Sequence, residues 1–334
     1  MIEMPPLQFA NVNGIRMGFY EAGPKSDKLP IVLCHGWPEI AFSWRHQIKT
    51  LSEAGFRVIA PDQRGYGATD RPESVEAYDI ENLTADLIGL LDHLKIDKAI
   101  FVGHDWGGFI VWQMPLRYPA RVAGVVGVNT PHTPRTSEDP IALLRKKYGD
   151  HLYIAQFQDP SRKADKIFDS RVAEAFDFFM RKPMPRKPSA SVPPDGPPAA
   201  GLGASPKLNM AFPQMVAGYD AKLDPREKIL STEEMQVFVD SFKKSGFTGG
   251  INWYRNMTRN WERSAHIDHT VRVPSLMIMA EHDEVLPPSA CDGMENIVPD
   301  LEKHLVKGSG HWTQQEKPDE VSATIVEWRK RRFA

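Results

Sequence analysis

Three short segments carry residue types that could do chemistry together. "GHDWGG" (103–108) sets Asp105 among glycines directly after the apolar run "AIFV"; "MAEHDEV" (279–285) offers Asp283 after a second apolar run; "KGSGHWT" (307–313) offers His311 between loop glycines. The order nucleophile, acid, histidine is that of triads whose nucleophile stands on a sharp strand-to-helix elbow. Each residue alone has a plainer reading: a helix N-cap for Asp105, a solvated loop acid for Asp283, a structural histidine for His311. Three strand ends each carrying the required type, with no Gly-x-Ser-x-Gly in the chain, favour catalysis. The other strand end able to carry the acid, after "VVGV", holds Asn129, which leaves Asp283 as the better choice.

An aspartate in the usual place of a serine selects the reaction. Serine attacking a saturated carbon would form an ether, which water does not readily release, whereas aspartate forms an ester that water can cleave. The elbow therefore predicts substitution at an sp³ carbon followed by ester hydrolysis. The first step needs an ionised Asp105, which the N-terminus of the following helix favours. The second needs His311 to take a proton from water while Asp283 orients the ring. "HGWPE" (35–39) follows the apolar strand "IVLC", and the backbone N–H groups of Trp37 and Trp106 are the candidate oxyanion hole. An ordinary strand-end turn is the alternative reading of that loop.

These loops need a rigid frame. "LQFANV", Asn13-Gly14 and "IRMGFYEA" predict a hairpin. Apolar strands "IVLC", "FRVIAP", "KAIFVGH" and "VAGVVGVN" then alternate with helices, of which 80–94 carries Ile80, Leu83, Leu87, Leu90, Leu91 and Leu94 on one face. Such alternation predicts a mostly parallel sheet with helices on both faces. From about 132 to 265 the pattern turns helical with no clear buried strand, interrupted by a proline-rich loop at 183–206. The pattern resumes with "VPSLMIMA", a helix around 288–297, "KHLVKG" and a closing helix from about 318. The expected organisation is a core domain of residues 1–131 and 266–334, with residues 132–265 inserted as a mostly helical cap over the strand ends, where ligands bind in open α/β sheets.

The chain has 334 residues, 25% charged and 41% hydrophobic, with a formal net charge of -2. That balance gives no reason to expect nucleic-acid binding. The two cysteines, Cys34 and Cys291, and the histidines His46, His93, His266 and His269 lack metal-ligand spacing, so neither metal nor cofactor is expected. His35 and His104, beside the oxyanion loop and the nucleophile, read as structural. With no signal peptide and no segment long enough to span a bilayer, the chain reads as soluble and cytoplasmic, with no membrane insertion.

"HGWPE", "PDQRGYG", "GHDWGG", "NWYRN", "AEHDEV" and "GSGHWT" together resemble, in order and spacing, the α/β-hydrolase-fold epoxide hydrolases of the soluble epoxide hydrolase family. The resemblance covers nearly the whole chain and is weakest in the proline-rich stretch. It implies an inserted lid, a small-molecule epoxide as substrate with water, and vicinal diols as products. It further implies that Tyr153 in "YIAQFQ" and Tyr254 in "NWYRN" bind and protonate the epoxide oxygen and that the bond before Pro38 is cis; members of the family often form homodimers, which leaves the oligomeric state open. A haloalkane dehalogenase would share the aspartate and the ester, but needs halide-binding donors in place of lid tyrosines. A non-catalytic hydrolase-fold binding protein is the reading from a different class; it has no need of the full set of groups found here.

Overall fold

The computed structural model describes residues 2–184 and 210–333, so most of the predicted proline-rich loop lies outside the described residues. Eight strands form one sheet: β1 (Leu7–Val12), β2 (Ile15–Ala22), β3 (Ile31–Cys34), β4 (Val58–Pro61), β5 (Ala99–His104), β6 (Val122–Val128), β7 (Ser275–Ala280) and β8 (Leu301–Val306). Their order is β1-β2-β4-β3-β5-β6-β7-β8. The Asn13-Gly14 turn joins β1 to β2 with Val12 opposite Ile15. Only β2 runs against the rest. Strands β3 to β6 are buried along almost their whole length, as expected of a sheet covered on both faces.

Helices α1 (Arg45–Glu53), α2 (Ile80–His93) and α3 (Trp106–Arg117) connect the central strands. Asp79 caps α2 by accepting the Asn82 N–H at 3.0 Å, and the predicted face of Leu83, Leu87, Leu90 and Leu91 is buried. The chain passes from β3 outward to β4, then returns to the other side of β3 as β5. This reversal opens a crevice at the C-terminal ends of β3 and β5, the usual ligand position in such sheets.

Between β6 and β7 the described chain forms eight helices: α4 (Pro140–Tyr148), α5 (Tyr153–Phe157), α6 (Lys163–Ser170), α7 (Val172–Phe179), α8 (Phe212–Ala217), α9 (Thr232–Ser245), α10 (Thr248–Arg255) and α11 (Met257–Arg263). The only extended pairing among the described residues of this stretch is the bridge Arg181–Lys228. Packed aromatic rings fill the layer, with Phe157, Phe168, Phe176 and Phe247 fully buried. Asp79 ties it to the core through Arg259 at 3.2 Å and Arg263 at 3.1 Å. The chain ends in α12 (Thr313–Glu316) and α13 (Pro318–Arg332), whose last turn carries the basic tail.

One predicted element differs. Instead of a helix around 288–297, two 3₁₀ turns, Pro288–Cys291 and Met294–Asn296, flank Gly293. Gly293 at φ 75° takes the chain out of helical conformation midway, so no continuous helix forms there. Among the described residues no helix is long and apolar enough to cross a membrane.

Candidate active site

The crevice at the reversal gathers the predicted residues from four strand ends. Asp105 follows β5 with φ 50° and ψ -120°, a conformation that costs a non-glycine residue about 1–3 kcal/mol and that surrounding packing must hold. It turns the carboxylate out of the sheet as α3 begins. The loop after β3 approaches so closely that a Cβ on Gly36 would collide with the Asp105 side chain, so that position tolerates only glycine. The approach lets the Trp37 N–H donate to Asp105 Oδ1 at 2.7 Å, and the Trp106 N–H favours the same carboxylate. The Trp37–Pro38 peptide bond is cis.

Asp283 follows β7 and is almost entirely buried. Its Oδ1 accepts the N–H groups of Val285 at 2.8 Å and Leu286 at 2.9 Å; its Oδ2 faces His311 Nδ1 at 2.8 Å and accepts Asn129 Nδ2 at 2.7 Å. Burial works against this charge, but His311, these N–H groups and the Asn129 amide outweigh it and hold the pKa at about 2. His311 follows β8, and its Nε2 lies 3.7 Å from Asp105 Oδ2. Burial alone would lower its pKa; the Asp283 carboxylate, then Asp105, raise it to about 9. Asp105 itself is pushed upward by burial, opposed by His311, His104 and the two tryptophan N–H groups.

Above these residues sit two phenols. Tyr153 opens α5 and Tyr254 lies in α10, with ring centroids 5.7 Å apart. Both are buried, 4% and 3% exposed, and burial raises both pKa values well above the ordinary 10, so each keeps its proton. Asp105, His311, Trp37, Tyr153 and Tyr254 all line one cavity of about 260 Å³, whose remaining walls combine phenylalanine, tryptophan and methionine side chains with the charged Arg181, Lys182, Arg226 and Glu284. Every candidate residue predicted from sequence is thus in this one place except Asp283, which lies behind His311, and Trp106, which borders Asp105, Tyr153 and Tyr254 in an adjoining space of about 20 Å³. Among the described residues no group of three or more His, Cys, Asp or Glu is placed to hold a metal.

Two participants, Asn129 and Glu39, were not picked out by sequence reasoning, and a third, His104, was read only as structural. Asn129, noted only as an occupant of the alternative acid position, stands at positive φ after β6 and holds Asp283. Glu39, the last residue of "HGWPE", is fully buried and accepts the Gly36 N–H and Gln314 Nε2, both at 2.8 Å. His104 spans from Glu39 Oε2 at 2.8 Å to the His311 backbone carbonyl at 2.7 Å, linking the oxyanion loop, the elbow and the histidine loop. The signal was available: a glutamate and a histidine inside motifs whose flanks are apolar must find partners when buried.

Known proteins share this arrangement of fold and sequence. The α/β-hydrolase fold family model matches residues 30–318. Epoxide hydrolase A of Mycobacterium tuberculosis is 39% identical over 333 residues, 97% of each chain. Bifunctional epoxide hydrolase 2 of Rattus norvegicus is 38% identical over 322 residues, which span 95% of this chain and 54% of the rat protein. Among solved structures, epoxide hydrolase A from Mycobacterium thermoresistibile superposes with a TM-score of 0.80 at 35% identity over 98% of each chain. An epoxide hydrolase from Vigna radiata does so at 0.81 and 32% over 99% of each. The chain belongs to the α/β-hydrolase fold family, among its epoxide hydrolases.

Proposed function

We propose that this enzyme converts epoxides to vicinal diols through a covalent ester on Asp105. One observation carries the reading: the Asp105 carboxylate is divided, with Oδ1 on the Trp37 N–H and Oδ2 toward His311 and the cavity that the two phenols line. Oδ2 attacks an epoxide carbon and the ring C–O bond breaks. Tyr153 and Tyr254 hold the oxygen as charge develops, and one of them supplies its proton. The Asp105 charge is thereby lost into the ester, which removes one of the carboxylates that raise the pKa of His311 and so favours the neutral imidazole, whose Nε2 is free to accept a proton. Water then attacks Cγ, His311 takes one proton, and Oδ1 becomes an oxyanion held by the N–H groups of Trp37 and Trp106. Collapse breaks the Cγ–Oδ2 bond and releases the diol with Oδ2. The proton on His311 and the one lost as the new Asp105 acid ionises restore the leaving alkoxide and the tyrosinate.

Residues 132–265 serve in this reading as the cap that brings the tyrosines to the core of residues 1–131 and 266–334. The chemistry needs only the epoxide and water. A homodimer is an expectation from the family resemblance, and light scattering of the purified protein tests it. The haloalkane reading finds less support, because two protonated phenols suit a developing alkoxide and the named relatives are epoxide hydrolases.

The test is His311→Gln mixed with an aryl epoxide, with Asp105→Ala added to the same variant as control. A stalled adduct of the full epoxide mass on the Asp105 peptide, absent from the control, is expected. An adduct formed only with a bromoalkane would favour dehalogenation, and labelling by neither reagent would return the binding-protein reading.

A further inference from the structure

A second cavity, of about 180 Å³, adjoins the active site. Trp106, Phe109 and Met257 line it, and the same three side chains line the narrow space that reaches Asp105, Tyr153 and Tyr254. Its other walls carry Arg117, Arg135 and His269, and no aspartate or glutamate lines it. This basic end is poorly satisfied. Arg117 is 12% exposed; its Nε and Nη2 are buried without a hydrogen-bond partner, and its Nη1 has only Glu81 at 3.8 Å, a carboxylate that also serves Arg263 at 2.9 Å. Arg135 donates from Nε to the Trp261 carbonyl at 3.0 Å and lies over the Trp261 ring, with no partner at its terminal nitrogens among the described residues. Both ring nitrogens of His269 are buried without a well-formed hydrogen bond. The buried Arg117 donors left unmatched are costly, Arg135 is half-buried beside them, burial holds His269 toward its neutral form, and a planar carboxylate fits the guanidinium fork.

We propose that this cavity binds an organic carboxylate, its charged end at Arg117, Arg135 and His269 and its apolar body against Trp106, Phe109 and Met257. The carboxylate has two possible sources: the tail of an epoxide whose oxirane lies at Asp105, or a separate molecule. The first source rests on the function proposed above; the site itself does not.

Calorimetric titration of the full chain with phenylacetate, and with neutral phenylacetamide, tests the site directly. Phenylacetate should bind about tenfold tighter than the amide, and Arg117→Gln and Arg135→Gln should each remove about tenfold of its affinity. Both variants should turn over styrene oxide within about twofold of the unaltered enzyme, because neither side chain lines the cavity of the nucleophile. Thermal melts establish that each is folded, and Arg135→Gln carries the test if Arg117→Gln is not. No binding of phenylacetate, equal binding of the amide, or affinity that both substitutions leave unchanged would overturn the proposal. Absence of styrene oxide turnover in the unaltered enzyme would overturn the function reading and leave the calorimetry standing. The two sources separate with 4-(oxiran-2-yl)benzoate. If the carboxylate is the substrate's own, the KM of this acid lies about tenfold below that of its primary amide, Arg117→Gln removes the difference, and phenylacetate competes. If it is a separate ligand, the KM values match and phenylacetate alters kcat without competing; either result supports the site.

Discussion

The floor and the roof of the active site are equally buried but differently held. On the floor, Asp283 takes two backbone N–H groups, the Asn129 amide and His311, and Asp105 takes the Trp37 N–H. In the roof, Tyr153 is fixed by rings: Phe212 at 4.5 Å, Phe157 at 5.3 Å and Tyr254 at 5.7 Å. The difference follows from the charge each group must carry. Burial opposes a carboxylate or an imidazolium, so the floor needs directed hydrogen bonds to keep its charges. A phenol acting as a proton donor must stay neutral, and burial alone achieves that. Ring packing with one hydrogen bond between the two phenols therefore serves the roof, whereas the floor needs a set of directed bonds.

Substitutions that separate charge from packing sharpen this contrast. Asp105→Asn keeps the shape of the floor and removes the nucleophile; kcat should fall by about 10⁴-fold or more with little change in melting temperature. Asp283→Asn should cost about 10³–10⁴-fold, and rapid-quench kinetics should place the loss in ester hydrolysis, with ring opening retained. Tyr153→Phe and Tyr254→Phe together should cost a comparable 10²–10⁴-fold, roughly, but in ring opening, and each alone clearly less. Losses in the opposite steps would break the division between floor and roof. Phe168→Ala, in the ring cluster around Trp37, should destabilise the fold by about 3–5 kcal/mol in chemical denaturation while the ester still forms at low temperature.

The smallest effect is on stability against pH. His311 goes from an ordinary 6.5 to about 9 on folding, so its contribution is fully present below pH 6.5 and is lost as pH rises through 9. Asp283 goes from 3.8 to about 2, so its contribution is present above pH 3.8 and is lost as pH falls through 2. In Asp105→Asn the NMR titration of His311 should move to lower pH, because one of the raising charges is gone. A titration that stays in place would mean that Asp283 alone sets it.

The hairpin, the alternating strands and the face of α2 were legible because apolar period and turn residues are local properties. The helix expected around 288–297 was not, because the apolar residues there do pack, but on two turns broken by Gly293. In the site, Asp105, Asp283 and His311 could be read from residue type at strand ends. Tyr153 and Tyr254 came only through family resemblance, since a tyrosine among apolar residues has the same local pattern whether it fills a core or faces a cavity. Glu39 was missed, and the structural reading of His104 could not name its partners, for a related reason: they lie 65 and 207 residues from His104 along the chain.

By itself the sequence determined the fold class and supplied the proposal of Asp105 as a nucleophile toward saturated carbon, because these rest on local periodicity and on what a carboxylate can and cannot form. Tertiary structure alone decided which Asp105 oxygen meets the Trp37 N–H, how far His311 stands from the other, that Asn129 braces Asp283, and that unmatched arginines line a cavity next to Trp106. Those are distances between residues remote in the chain: the order and register of the strands fix the first three, and the packing of the helical layer against the sheet fixes the last.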